Sequence, residues 1–280
     1  MSDLTNNRSI LITGCSSGIG YCVAHGLQKL GYRVFATARK SEDVLRLREE
    51  GLESLELDLT DSKSITNAVQ KILELTDGKL YAVFNNGAYG QPGAVEDLTL
   101  EALRNQFETN VFGTHELTRQ IIPIMRKLGE GRIIQNSSIL GLVVLPYRGA
   151  YNASKFALEA LSDTLRLELF NTNIFVSSIE PGPVLSKFRV NSHKMFQKHI
   201  DNQHSVHQKT YDKMQKTLLK EGPVVRFTLP PEAVLKRVVH ALEAKNPQPH
   251  YYVTFSTYLL ITLKRFLPHR AMDWVLRNVT

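Results

Sequence analysis

Cysteine is nearly absent from this chain: Cys15 and Cys22 are the two in 280 residues. That excludes a disulfide framework and suits a reducing cytoplasmic setting. No Cys/His cluster carries metal-ligand spacing, so no metal centre is expected. No N-terminal basic segment leads into an apolar run, so no secretory leader is visible. No apolar stretch reaches the about 20 residues that a bilayer-spanning helix needs. Internal repeats and low-complexity tracts are also missing. The net charge is +7, yet no reading helix or aromatic–basic interleaving accompanies it, so nucleic acid is not expected as a partner. The excess is local. From Lys187 to Lys220 there are eight Lys/Arg against two Asp, with four His.

What is present centres on Gly149-Ala-Tyr-Asn-Ala-Ser-Lys-Phe-Ala-Leu-Glu-Ala-Leu161. Its residues favour a helix, and Phe156, Ala157, Ala160 and Leu161 form an apolar stripe. Tyr151 and Lys155 stand four apart, one above the other on one face. An ammonium there would draw the phenol pKa down from about 10, toward useful acid–base chemistry. A Tyr and a Lys on a solvated helix face would look the same, so the pair needs company. Upstream, Arg132-Ile-Ile-Gln-Asn-Ser-Ser138 reads as a buried strand ending in Ser138.

Near the N-terminus, Ser9-Ile-Leu-Ile-Thr13 reads as a first buried parallel strand. It runs into Gly14, Gly18 and Gly20 and a helical pattern ended by Gly31. Strand, tight turn and helix N-terminus make a phosphate site, the glycines admitting backbone close to a pyrophosphate. Tyr32–Ala38 reads as the second strand. It is followed by Arg39-Lys40, with no acid before Glu42. An acid at that point binds the ribose 2′-hydroxyl of NAD, whereas Arg39 suits a 2′-phosphate. Further strands are expected at Leu55–Leu59, Leu80–Phe84, Arg132–Ser138 and Asn173–Glu180, with helices at 61–76, 98–128 and from Pro230. Alternating strands and helices give an α/β, Rossmann-type, doubly wound parallel sheet of about seven strands. The length suits a single domain over 1–280.

Thr13-Gly-Cys-Ser-Ser-Gly-Ile-Gly20, Ser138, Tyr151-x-x-x-Lys155 and Asn110 within Thr109-Asn-Val-Phe-Gly113 occur in one order. Together they resemble the short-chain dehydrogenases/reductases over roughly residues 8–245. The resemblance implies hydride transfer between NADP(H) and a carbonyl/alcohol pair, with Tyr151, Lys155, Ser138 and Asn110 catalytic. It implies cofactor contacts from Gly14, Ser16, Ser17, Gly18, Ile19 and Gly20 in the glycine loop and from Arg39. Asp58 and Leu59 would meet the adenine, and Asn85, Asn86 and Gly87 would follow the fourth strand. Pro181, Gly182, Val184 and Ser186 would pass the nicotinamide, with Tyr151 and Lys155 at its ribose. The family pattern NNAG appears here as Asn85-Asn-Gly-Ala88, with Ala and Gly exchanged, which puts the turn shape in question.

Thr13–Gly20, Phe84-Asn-Asn86 and Tyr151–Glu159 look like the 17β-hydroxysteroid and retinol dehydrogenase branch and allied bacterial aldehyde reductases, a resemblance that implies a small lipophilic carbonyl or alcohol. Residues 187–228 fall where the family keeps its substrate lid. Residues 251–280 form an extension whose Tyr258–Leu263 run is expected as an extra helix packed on the sheet or lid. Peripheral membrane contact by that helix is the alternative. The basic lid also admits an anionic acyl thioester as substrate, and a non-catalytic NADP-binding regulator is the rival from another class. Pairing of the helices at 99–128 and 151–170 across a two-fold axis would give a homodimer or homotetramer.

Overall fold

A computed structural model describes residues 8–278; the ends of the expected 1–280 domain, 1–7 and 279–280, lie outside them. In chain order the elements begin with β1 (Ser9–Ile12), α1 (Gly18–Lys29), β2 (Arg33–Ala38), α2 (Ser41–Glu49), β3 (Glu53–Glu56), α3 (Ser62–Leu75) and β4 (Ala82–Asn85). Then come α4 (Leu100–Phe107), a π-helical turn (Glu108–Gly113), α5 (Thr114–Leu128), β5 (Gly131–Asn136), α6 (Gly149–Glu168) and β6 (Ile174–Glu180). The rest is α7 (Phe188–His199), α8 (Gln208–Leu219), α9 (Glu232–Glu243), β7 (His250–Tyr252), α10 (Phe255–Phe266) and α11 (His269–Asn278).

The seven strands form one parallel sheet in the order β3-β2-β1-β4-β5-β6-β7. Its two faces follow from alternation along each strand. Ile10 and Ile12 point to the side covered by α1 and α9, where Val23, Leu27, Val234 and Val238 meet them. Leu11 points to the other side, with Ile65, Ile72, Leu117 and Ile121 of α3 and α5. Val34/Phe35 and Val83/Phe84 divide between the same two clusters. Strands apolar at every position are what two covered faces require. Chain order reverses between β1 and β4, so their carboxyl ends open the crevice in which doubly wound sheets bind ligands.

Two expectations need correction, at β3 and in the C-terminal stretch, and the 187–228 segment gains detail. The third strand is Glu53–Glu56 and not Leu55–Leu59, because this edge strand pairs only while β2 lasts, Ala38 facing Glu56. Asp58 and Leu59 therefore sit in the following loop. The 187–228 segment, weakly periodic in sequence, contains α7 and α8. They are held to the loop after β4 by the buried Tyr211, whose hydroxyl bonds Asp97 and accepts from the Ala94 N–H at 2.8 Å. The C-terminal stretch is a strand and two helices, not one extra helix. Strand β7 rests on pairing with β6, Ile179 opposite Tyr251.

Candidate functional site

The glycine loop fits a pyrophosphate by its backbone. Gly14 and Gly18 take φ of +71° and +63°, the left-handed region that side chains strain to enter. Gly20 has an ordinary φ but no room: a Cβ there would stand 2.5 Å from the Gly14 carbonyl oxygen. Ser17 precedes the first turn of α1 with extended backbone, so the helix N-terminus faces the crevice. The loop is knitted to β4 by Thr13 and Asn86. Thr13 Oγ1 accepts from the N–H groups of Asn86 (2.9 Å) and Gly87 (2.8 Å), and Asn86 Nδ2 donates to the Thr13 carbonyl at 2.8 Å. Asn85 Nδ2 is turned away, onto Thr118 Oγ1 at 2.9 Å, leaving its backbone at the crevice. Neither Gly87 nor Ala88 has positive φ. The exchanged pair therefore costs the turn nothing. A Cβ on Gly87 would meet Leu59 Cδ1 at 2.9 Å, the end of a side chain that can turn aside.

Around this cradle lie the other residues expected to meet the cofactor. Arg39 is exposed just past β2 and makes no hydrogen bond or ion pair among the described residues. Arg46, unremarked in the sequence, donates to the Ser16 carbonyl at 2.8 Å and to Asp43 at 2.9 Å, adding a second guanidinium at this corner. The Asp58 carboxylate accepts from the N–H and hydroxyl of Thr60, and Asp61 caps α3 instead. At the far end Pro181, Gly182, Val184 and Ser186 follow β6. Ser186 closes on the glycine loop, since a Cβ on Gly18 would come 2.9 Å from its Cβ. Ile19, on the first turn of α1, packs against the main core. Open glycine backbone, a helix N-terminus and unpaired Arg39 together fit a dinucleotide.

The expected acid–base group gathers where β5 and β6 end. Ser138 ends the extended segment after β5, and its Oγ accepts from the Leu140 N–H at 3.1 Å. Lys155 is 2 % exposed and donates to the Asn136 carbonyl at 2.7 Å. Burial lowers its pKa to about 8, with Glu159 one turn on holding it up. The ammonium lies 5.8 Å from the centre of the Tyr151 ring. Asn110, in the π-helical turn, is gripped by Tyr89: its Oδ1 accepts from the Tyr89 N–H (3.1 Å), and its Nδ2 donates to the Tyr89 carbonyl (2.9 Å) and Ser154 Oγ (3.1 Å). It thus reaches the residue beside Lys155 rather than Lys155 itself.

Tyr151 departs from expectation. Burial pushes its phenol up to about 12, against a downward pull from its hydrogen bond with Ser138 and from the charge of Arg148. Lys155, bonded to Asn136, does not offset the desolvation. Arg148, the residue before α6, was not singled out from sequence. It is half-buried, its guanidinium makes no hydrogen bond or ion pair among the described residues, and burial holds its pKa below the usual range. Its place one turn before Tyr151 was the available signal. Tyr147, just before it, sits at φ +59° with its ring against His207 and against Tyr211 of α8.

Behind Lys155 lies a second polar cluster that spacing alone could not show. His250 Nδ1 stands 2.6 Å from Glu180 and 3.9 Å from Glu159, and its Nε2 stands 3.3 Å from Asp163. Burial raises the Glu180 carboxyl to about 7 and moves Glu159 upward, while Glu180 raises His250. Glu180 also accepts from the Tyr251 N–H at 3.0 Å. Both of its oxygens are therefore occupied, one by His250 and one by the Tyr251 N–H.

The chain is similar to known proteins. Residues 8–196 match the family model described as short chain dehydrogenase. The chain is 42 % identical over 271 residues to the uncharacterized oxidoreductase YbbO of Escherichia coli strain K12, covering 97 % of this chain and 94 % of that one. It is 30 % identical to the NADPH-dependent 3-dehydrocapnine reductase of Ornithobacterium rhinotracheale, covering 95 % of each. The crystal structure of a short-chain dehydrogenase from Streptomyces avermitilis superposes with a TM-score of 0.77 at 26 % identity, over 96 % of this chain and 93 % of that one. The chain therefore belongs to the short-chain dehydrogenase family and is one of its oxidoreductases.

Proposed function

We propose that this oxidoreductase uses NADP(H) to interconvert an apolar aldehyde or ketone and its alcohol. The observation that carries this reading is the company of Tyr151. Ile139, Leu140 and Val143 pack around it together with Leu260, Met272 and Leu276 of the C-terminal helices, and Phe188 of the lid sets its ring 5.3 Å from the tyrosine ring. Each methylene laid against such a wall contributes about 0.8 kcal/mol.

The bound cofactor would supply or take the hydride. The chain's own residues manage the rest. Tyr151 gives its proton to the carbonyl oxygen in reduction and receives it back in oxidation. Ser138 donates a hydrogen bond to that oxygen as charge develops. Lys155 holds the cofactor ribose and favours proton loss from the phenol, and Asn110 fixes the Tyr89 loop over the cleft. Arg39, with Arg46 behind it, selects the 2′-phosphate. In this reading 1–280 is one cytoplasmic domain with its lid at 187–228, and Cys15 and Cys22 stay free thiols.

Turnover of straight-chain aldehydes with NADPH tests the substrate class. kcat/KM should climb with chain length and vary little with ionic strength, because apolar burial persists when charges are screened. A preference for acyl thioesters that collapses as salt is raised would instead make the basic lid the recognition element.

A further inference from the structure

One face of α10 is uncovered. Phe255, Tyr258, Leu259, Thr262 and Phe266 recur at i, i+3, i+4, i+7 and i+11, which places them on a single stripe. All five are exposed, Phe255 at 57 % and Phe266 at 76 %. The opposite side of the helix buries Leu260 in the apolar wall around Tyr151. The stripe continues beyond the helix: the exposed Phe227 ring lies 5.0 Å from that of Phe255. Scattered apolar residues on a surface are ordinary, whereas a contiguous aromatic-rich stripe marks a contact surface.

Charge identifies the occupant. Helix α10 carries Lys264 and Arg265 and no acidic residue. Lys264, though exposed, is bonded to the Leu142 carbonyl, so Arg265 is the cation of the helix left for a partner. Arg226 lies 5.1 Å from the Phe227 ring centre, and Arg237 Nη2 stands 3.5 Å from the Tyr258 hydroxyl. A two-fold contact between copies would set these cations against their own images. An anionic lipid surface would neutralise them. With 12 residues, α10 is about 18 Å long, and no helix among the described residues is long and apolar enough to cross a membrane.

We propose that the α10 stripe docks in the plane of an anionic bilayer, its aromatic side chains at the headgroup–acyl boundary and Arg226, Arg237 and Arg265 at lipid phosphates. The same helix roofs Tyr151 with its inner face, so docking would set the substrate roof against the lipid. The proposal does not rest on the substrate reading, because its test reads partitioning and not turnover.

Full-length protein is sedimented with vesicles rich in phosphatidylglycerol or made of phosphatidylcholine alone. Partitioning onto the anionic vesicles should be at least ~10-fold stronger and should fall as salt is raised. Phe255→Ser with Phe266→Ser should reduce it ~10-fold at unchanged Tm, and Arg265→Glu should remove most of the lipid preference. Equal partitioning of wild type and the double serine variant would overturn the proposal. So would a lipid-free oligomer that the double variant splits, since the stripe would then cover a second copy.

Discussion

The Lys155 ammonium donates to the Asn136 carbonyl at 2.7 Å across nineteen residues of chain, tying α6 to the end of β5. Lys155 is therefore expected to be structural as well as chemical, whereas Tyr151 adds to packing through its ring and not through its hydroxyl. Tyr151→Phe keeps the ring in its apolar cluster and should cost at least ~10²-fold in kcat with Tm and NADPH binding nearly unchanged. Lys155→Met leaves a buried carbonyl unpaired and should lose about 1–3 kcal/mol of stability along with turnover. Thermal melts beside steady-state kinetics separate the two. Near wild-type turnover in Tyr151→Phe would move the proton donor elsewhere. Tyr147, the nearest other phenol in sequence, faces the lid.

Arg148 supplies the positive charge that draws the Tyr151 phenol downward. A cation favours phenolate, so its removal must raise the phenol pKa. In alcohol oxidation, Arg148→Met should shift the rising limb of the pH–rate profile up by about one unit. Arg148→Lys should restore most of it. Coincident profiles for Met and wild type would leave Arg148 with no electrostatic part.

Cofactor choice is expected to rest on Arg39. Arg39→Asp removes a charge-assisted contact of roughly 1.5–3 kcal/mol and adds repulsion. The NADP/NAD ratio of kcat/KM should fall at least ~10-fold. An unaltered ratio would shift the assignment to Arg46, whose guanidinium sits on Ser16.

The His250 cluster makes stability depend on pH. Glu180 titrates near 7 rather than 4.5 because it is buried, and His250 titrates above 6.5 because of Glu180. Both raised values mean that the folded chain keeps protons which the unfolded chain has released. The stability they contribute is whole below the unfolded values and is lost as pH rises through the folded ones. His250→Gln should cost about 1–3 kcal/mol near pH 6 and less near pH 8. Melting curves of both proteins at several pH values show this as a narrowing gap in Tm. A gap independent of pH would mean that His250 is neutral throughout.

Self-association is expected through α4–α5 and α6. These helices expose Leu103, Phe112, Phe156 and Leu161, more apolar surface than a solvated face requires. Light scattering at micromolar concentration should give a dimer or a tetramer. Phe112→Asp with Leu161→Asp should yield monomers of unchanged fold by circular dichroism. A monomeric wild type would reject the pairing.

Legibility tracked distance along the chain. The glycine loop and Tyr151–Lys155 are local patterns, each readable within a few residues of chain. Arg148 and Arg46 escaped notice because nothing local distinguishes a cleft-facing guanidinium from a solvated one. The shift of β3 arose because edge-strand register is set by β2. The Glu159–Glu180–His250 cluster joins residues up to 91 apart in number, and β7 is three residues long. No window along the chain could show either. Helices α7 and α8 were hidden by a basic, polar surface; what fixes them is one buried phenol, Tyr211, reaching back to Asp97.

Gly182 has no room for a side chain, because the Thr254 hydroxyl at the start of α10 occupies the space a Cβ would need. This single contact bears on how such a protein can diversify. A foreign C-terminal segment grafted after β7, to reshape the roof over Tyr151, would also press on the loop between Pro181 and Ser186. Ser256 and Thr257 crowd the same space, so graft boundaries placed after Thr257 would leave that loop untouched, whereas boundaries before it would transmit any change in the tail to the floor of the crevice. The tail and the loop at this corner must therefore be inherited together.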